Sequence, residues 1–173
     1  MDKKYIEKIA VNTRKQLLEE KLIKPIQKGF TNEELENIVQ SFGGKLILDD
    51  ETERAVLESI STTEFVIYYN PWYGFICVFQ ELGRRLLSIY GMIDNQTFTS
   101  ITNEKEDIEF FARELLMPED EFFKVVEKYT KDGKCSAYGV ARDFGVTLYV
   151  IDDRCRDLGV QDRWKVGFGR KEE

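Results

Sequence analysis

The sequence predicts an α+β fold, mainly helical, with a small sheet and one apolar helix at its centre. Three observations carry this. Apolar residues recur at helical spacing in several segments, such as 3–20, 104–117 and 118–129. Glu64-Phe65-Val66-Ile67-Tyr68-Tyr69 is rich in aromatic and β-branched residues and reads as the clearest strand. The stretch from Phe75 to Tyr90 is strongly apolar, as suits a helix in the middle of a domain.

The elements follow in order. Ile6, Ile9, Ala10, Leu17 and Leu18 mark a first helix from Lys3 to about Glu20. Thr31-Asn32-Glu33-Glu34 is a capping box and opens a second helix, which runs through Leu35, Ile38 and Val39 until Gly43-Gly44 stops it. Leu46-Ile47-Leu48 reads as a short strand, and Asp49-Asp50-Glu51 as a turn or the start of a short helix. Asn70-Pro71-Trp72-Tyr73-Gly74 breaks the strand that ends at Tyr69. The central helix then buries a stripe of Phe75, Phe79, Leu82, Leu86 and Ile89. A polar loop is expected over 91–103, a helix from Glu104 to Met117, and another from Pro118 to Tyr129. After a turn region, Thr130 to Ser136, two short helices are expected, Ala137 to Phe144 and Thr147 to Leu158. They are split by Gly145-Val146. Trp164, Val166 and Phe168 suggest a final strand in a charged tail. No repeat and no linker stands out, so residues 1–173 read as one domain with a core over about 3–160.

Composition narrows the function. The 42% hydrophobic fraction supports a folded globule. A net charge of −7 argues against general affinity for nucleic acid or an anionic membrane. No stretch is long and apolar enough to span a bilayer, and Met1-Asp2-Lys3-Lys4 leads into an amphipathic pattern, not a signal peptide. A cytoplasmic location is therefore expected. Cys77, Cys135 and Cys155 are scattered and form no CxxC pair, so reduced, buried thiols are expected. The chain contains no histidine, which removes Ser-His-Asp and Cys-His chemistry together.

That absence bears on one motif. Gln80-Glu81-Leu82-Gly83-Arg84 reads like the zinc-peptidase helix His-Glu-x-x-His with both histidines replaced. In the intact motif, positions i and i+4 share a helix face and hold one tetrahedral Zn²⁺, while the glutamate takes a proton from the metal-bound water. Gln80 offers only a neutral amide oxygen. Arg84 offers no acceptor and carries a fixed positive charge that repels a dication. Glu81 is then a remnant general base, neutralised by Arg84 on the same helix. Cys77, one turn before Gln80, is better read as a core thiol than as a ligand.

Five ordered blocks extend the match. They are the Gly-ended helix and strand from Ser41 to Leu48, the strand from Phe65 to Asn70, and the helix Phe79-Gln80-Glu81-Leu82-Gly83. Then come Phe111-Ala112-Arg113-Glu114-Leu115-Leu116-Met117-Pro118, and Ala141-x-x-Phe-Gly-Val-Thr with Arg154 and Leu158-Gly159 beyond it. Together they resemble the ImmA/IrrE family of metallopeptidases, over roughly residues 3–160. The resemblance implies a zincin-like domain, a zinc ion, and a third ligand from an acid shortly before Phe111-Ala112. Glu104 and Glu106 are the nearest acids, and Lys105 is the other residue that can fall there. Because the ligand positions depart from the pattern, no cofactor is expected, and Arg84 is expected to stand in for the metal against Glu81 and Glu104 or Glu106. Active members of the family act on helix-turn-helix repressors.

The resemblance thus implies a catalytically impaired domain from a bacterial mobile element or prophage, retained to bind such a repressor. Tyr69, Asn70, Trp72, Tyr73 and Arg84 would line its cleft, beside a strand able to pair with an extended peptide. Two alternatives stay open. One is an active peptidase with a non-standard metal site built from Glu81, Glu104, Glu106 and Cys77. The other is a DNA-binding regulator acting through residues 137–158, which mimic a helix-turn-helix. Asp152, Asp153 and Asp157 outnumber Arg154 and Arg156 there, so nucleic acid is the weaker expectation.

Overall fold

A computed structural model describes residues 2–91 and 102–160. The loop expected over 91–103 falls mainly outside the described residues, and the strand expected at Trp164, Val166 and Phe168 falls wholly outside them. The chain divides into two compact units, Met1–Lys24 with Phe30–Leu115, and Pro25–Gly29 with Leu116–Glu173. One division point falls between Leu115 and Leu116, inside a helix, so no change of composition marks it in the sequence.

The first unit is α+β. Helix α1 (Lys3–Glu19) is capped by the Asp2 side chain and buries Ile6, Ile9, Ala10 and Leu17. Helix α2 (Asn32–Ser41) carries both halves of the expected capping box. The Glu34 amide donates to Thr31 Oγ1 at 3.2 Å, and the Thr31 amide donates to Glu34 Oε2 at 2.8 Å. Gly43 then turns the chain at φ +80°, where a Cβ would sit 2.6 Å from the Thr63 carbonyl oxygen.

Strands β1 (Gly44–Leu48), β2 (Ala55–Ser59) and β3 (Phe65–Tyr69) form one sheet in the order β1-β3-β2. β1 runs parallel to β3 with Leu46 beside Ile67, and β2 runs antiparallel to it with Leu57 beside Ile67. β3 is therefore the central strand, which is why Phe65, Val66, Ile67 and Tyr69 are all buried. The sequence pointed to β1 and β3 but not β2. Ala-Val-Leu-Glu-Ser is a weak strand on its own and is held by pairing with β3.

A 3₁₀ turn (Pro71–Tyr73) leads into helix α3 (Ile76–Ile89). Its buried face is rotated and broader than the expected stripe. It comprises Cys77, Val78, Phe79, Leu82, Gly83, Arg85 and Leu87, while Leu86 is only half-buried and Ile89 is exposed. Packing on both α1 and the sheet accounts for the breadth. Helix α4 (Thr102–Leu116) begins at Thr102 rather than Glu104. Its Phe111 ring lies against Gly83, where a Cβ would come within 2.5 Å of the ring. Arg85 is buried and donates to the Ser61 and Thr62 carbonyls at 3.0 and 2.6 Å, which ties the β2–β3 turn to α3.

The second unit holds α5 (Glu119–Lys128), a hairpin of β4 (Thr130–Lys131) and β5 (Lys134–Cys135), α6 (Ala137–Phe144) and α7 (Leu148–Asp157). The hairpin lies within the turn region expected over Thr130 to Ser136. Its signal was Asp132-Gly133, both at positive φ as a type I′ turn requires. Ser136 caps α6 at one end, and Gly145 ends it in the left-handed conformation. All three cysteines are reduced and buried. Among the described residues, no helix is long and apolar enough to cross a membrane.

Candidate functional site

The candidate site forms where α3 packs on the edge of the sheet. Two backbone bonds fix how β2 pairs: Asn70 N to Arg54 O at 2.9 Å and Ile60 N to Glu64 O at 3.0 Å. Bonded residues alternate in an antiparallel pair. Ala55, Leu57 and Ser59 therefore turn their backbone groups away from β3, toward the sheet edge. The strand expected to flank a cleft, Tyr68 and Tyr69 included, is the buried centre of the sheet. The edge beside α3 is β2, which the sequence did not reveal.

Glu81 faces this edge. Its side chain is 13% exposed, and its Oε2 accepts from Arg84 Nε at 3.0 Å; the Arg84 side chain is 34% exposed. Burial pushes the Glu81 carboxyl above the usual carboxylate range. The charge and hydrogen bond of Arg84, with a hydrogen bond from the Leu57 amide, offset this only in part. A general base needs a lone pair directed at water. Here the carboxylate is directed at two donors of the protein itself.

The other expected ligands are dispersed. Gln80 is half-buried one residue before Glu81. On α4, Glu106 is exposed and Glu104 half-buried, and neither bonds to Arg84, contrary to expectation. Among the acids of 104–109 the one turned inward is Asp107, at 5% exposure, and it is not one of the expected ligands. It lies one turn before Phe111, the residue that packs on Gly83, and this i, i+4 relation is the signal that could have found it. Burial pushes its carboxyl upward, and the nearby Lys3 charge offsets that in part. Cys77 is a core thiol that donates from Sγ to the Tyr73 carbonyl at 3.6 Å, and burial raises its pKa.

These residues do not fit a zinc site. An amide and a guanidinium hold the helix positions, the guanidinium lies on the glutamate, and no three His, Cys, Asp or Glu cluster among the described residues. The chemistry present is that of a half-buried ion pair at a strand edge.

The expected cleft residues split into two kinds. Tyr69 is buried, and Asn70 is buried and fully engaged. Asn70 Nδ2 donates to the Asp50 and Thr52 carbonyls, both at 3.0 Å, and its Oδ1 accepts from the Trp72 amide at 3.1 Å. Trp72 and Tyr73 are open to solvent, at 92% and 46% exposure.

No protein-family model matches the chain, and neither a curated protein nor a solved structure matches it.

The second unit places the helix pair considered for DNA. α6 and α7 pack on each other across Gly145. Of the two arginines on α7, Arg154 is buried, and Arg156 is tied to Asp152 at 2.9 Å and Asp153 at 2.7 Å. Neither is presented as a free cation, which DNA contact would require.

Proposed function

We propose that this chain is a catalytically impaired, zincin-like domain of the ImmA/IrrE kind, cytoplasmic and working without a metal. It binds a protein, a helix-turn-helix repressor of a bacterial mobile element or prophage, and does not cut it. The observation that carries this reading is the 3.0 Å bond from Arg84 Nε to Glu81 Oε2. The residue at the general-base position is neutralised from its own helix, by a group standing where the motif would need a ligand. The order of strand, edge strand and motif helix is compatible with the resemblance. Beyond the Leu57 amide, which Glu81 takes, the outward edge of β2 offers a partner somewhere to pair. The engaged arginines of α7 favour a protein partner over DNA.

The test uses the full chain and the helix-turn-helix repressor encoded nearest to it. Calorimetry should give a complex that survives chelation, and mass spectrometry should find the repressor intact. Specific cut products that vanish in the Glu81→Gln variant would overturn the reading. So would the absence of any complex with the repressor.

A further inference from the structure

The most exposed large hydrophobic side chain among the described residues is Trp72, and it sits on a hydrogen-bonded turn. Pro71 presets the backbone ahead of it. Asn70 holds the Trp72 amide from one side, the Tyr73 amide donates to the Asn70 carbonyl at 3.2 Å, and the Gly74 amide donates to the Pro71 carbonyl at 3.1 Å. A tryptophan left in water on a fixed turn forgoes the burial that would stabilise the fold. The apolar core gains nothing from it. Tyr73 follows it into solvent, and Leu48, at the end of the neighbouring strand β1, is exposed as well.

The same asparagine carries a second turn. Its Nδ2 binds the Asp50 and Thr52 carbonyls, so the segment 49–54 is anchored to the base of the Trp72 turn. That segment is further closed by the Asp49 carboxylate, which accepts from the Glu51 amide and the Thr52 hydroxyl. It presents Asp50, Glu51 and Glu53 to solvent, with Arg54 the sole cation in the stretch. One buried residue thus joins an aromatic face to an acidic rim.

We propose that this joined surface is a docking site for a basic segment of a partner protein, in which an arginine or lysine stacks on Trp72 while neighbouring cations meet Asp50, Glu51 and Glu53. Charge decides the occupant. A cation over an indole face is favoured beyond simple burial, and Trp is the strongest such face. The carboxylates steer and retain a positive segment and repel an acidic one. A second copy of this chain, at net charge −7, is the wrong sign. This inference rests on the reading of the chain as a protein-binding regulator and names the chemistry of what is bound.

The test is calorimetry on the full chain with a short arginine-rich peptide, beside an analogue in which every arginine is glutamine. The arginine peptide should bind and weaken steeply with salt, and the glutamine peptide should not. Trp72→Ala should weaken binding about tenfold, and Trp72→Phe by less. Asp50→Asn with Glu51→Gln and Glu53→Gln should weaken it and flatten the salt dependence. Trp72 is exposed, so these variants should unfold at the wild-type temperature. Equal affinity for both peptides, or for wild type and Trp72→Ala, overturns the proposal. A repressor that binds wild type and Trp72→Ala alike sinks this surface and leaves the regulator reading standing. Peptide binding that depends on Trp72, with no repressor bound, does the reverse.

Discussion

Two shielded carboxylates, one in each unit, have opposite titration behaviour. Glu81 in α3 has one guanidinium and one backbone amide, and its carboxyl is pushed above the usual range, chiefly by burial. Asp143 in α6 is also shielded. Burial pushes it upward too, but hydrogen bonds from Lys128 and Tyr129 and the charges of Lys128 and Lys28 outweigh this and hold it below the usual range. Lys128 Nζ lies 2.5 Å from Oδ2, the Tyr129 hydroxyl 2.9 Å from Oδ1, and Lys28 Nζ 3.7 Å away. The covers differ as well. Asp143 is hidden at 3% exposure beneath lysine side chains that are themselves 70% and 56% exposed, so its surroundings stay polar. Glu81 lies between a helix and a strand edge. Hiding a charge from solvent does not by itself set its pKa; the number of donors and the depth of the surrounding protein do.

The comparison is most exposed to Arg84→Leu. Removing the one compensating charge leaves a buried carboxylate, at a cost of about 2 kcal/mol near neutral pH, below the figure for a fully buried pair because Arg84 is partly solvated. The sign follows from the raised pKa. With Glu81 protonated in both folded proteins, at low pH, the loss is small; the unfolded titration is common to the two and cancels, so the loss grows only as pH rises through the raised folded titration of the wild type. Urea unfolding of both proteins at pH 4 and pH 8 checks it, and a constant difference would break the comparison.

Asp143→Asn should cost less, about 1 kcal/mol at neutral pH, because the exposed lysines regain water. Its pH dependence lies lower. A depressed pKa gives stability that is present above the ordinary aspartate range and lost as pH falls through the folded value. Thermal melts of wild type and variant should therefore converge only in acid. Convergence at near-neutral pH would contradict the lowered titration.

Glu81→Gln should have the smallest effect, within about 0.5 kcal/mol of wild type at neutral pH, since it removes a desolvated charge and keeps the shape. A loss larger than that of Arg84→Leu, read in the same urea titrations, would mean that the carboxylate is the stabilising partner.

Much of the site was legible in the residues. The Glu81–Arg84 pair follows from helical spacing and opposite charge, and Thr31 with Glu34 announced its capping box. Trp72 and Tyr73 stand on a Pro-Gly turn, which fits their exposure. The edge strand was not legible, because β2 is made by its partner β3. Asp107 is one of four acids within 104–109, and only the packing of Phe111 on Gly83 chooses which of them faces inward. Asn70 reads from the sequence as a cleft residue, yet its three hydrogen bonds join segments that lie well apart in sequence.

The sequence by itself determined the α+β class, the helices, the strands β1 and β3, and the absence of histidine from α3. These rest on local period, caps and residue chemistry, each readable within a few turns of chain. Tertiary structure alone decided that β3 is central and β2 the edge, that Asp107 turns inward, and that one buried asparagine braces two exposed turns. Those outcomes depend on strand pairing and on which side chains a neighbouring element excludes from water, and neither is encoded in any single stretch of chain.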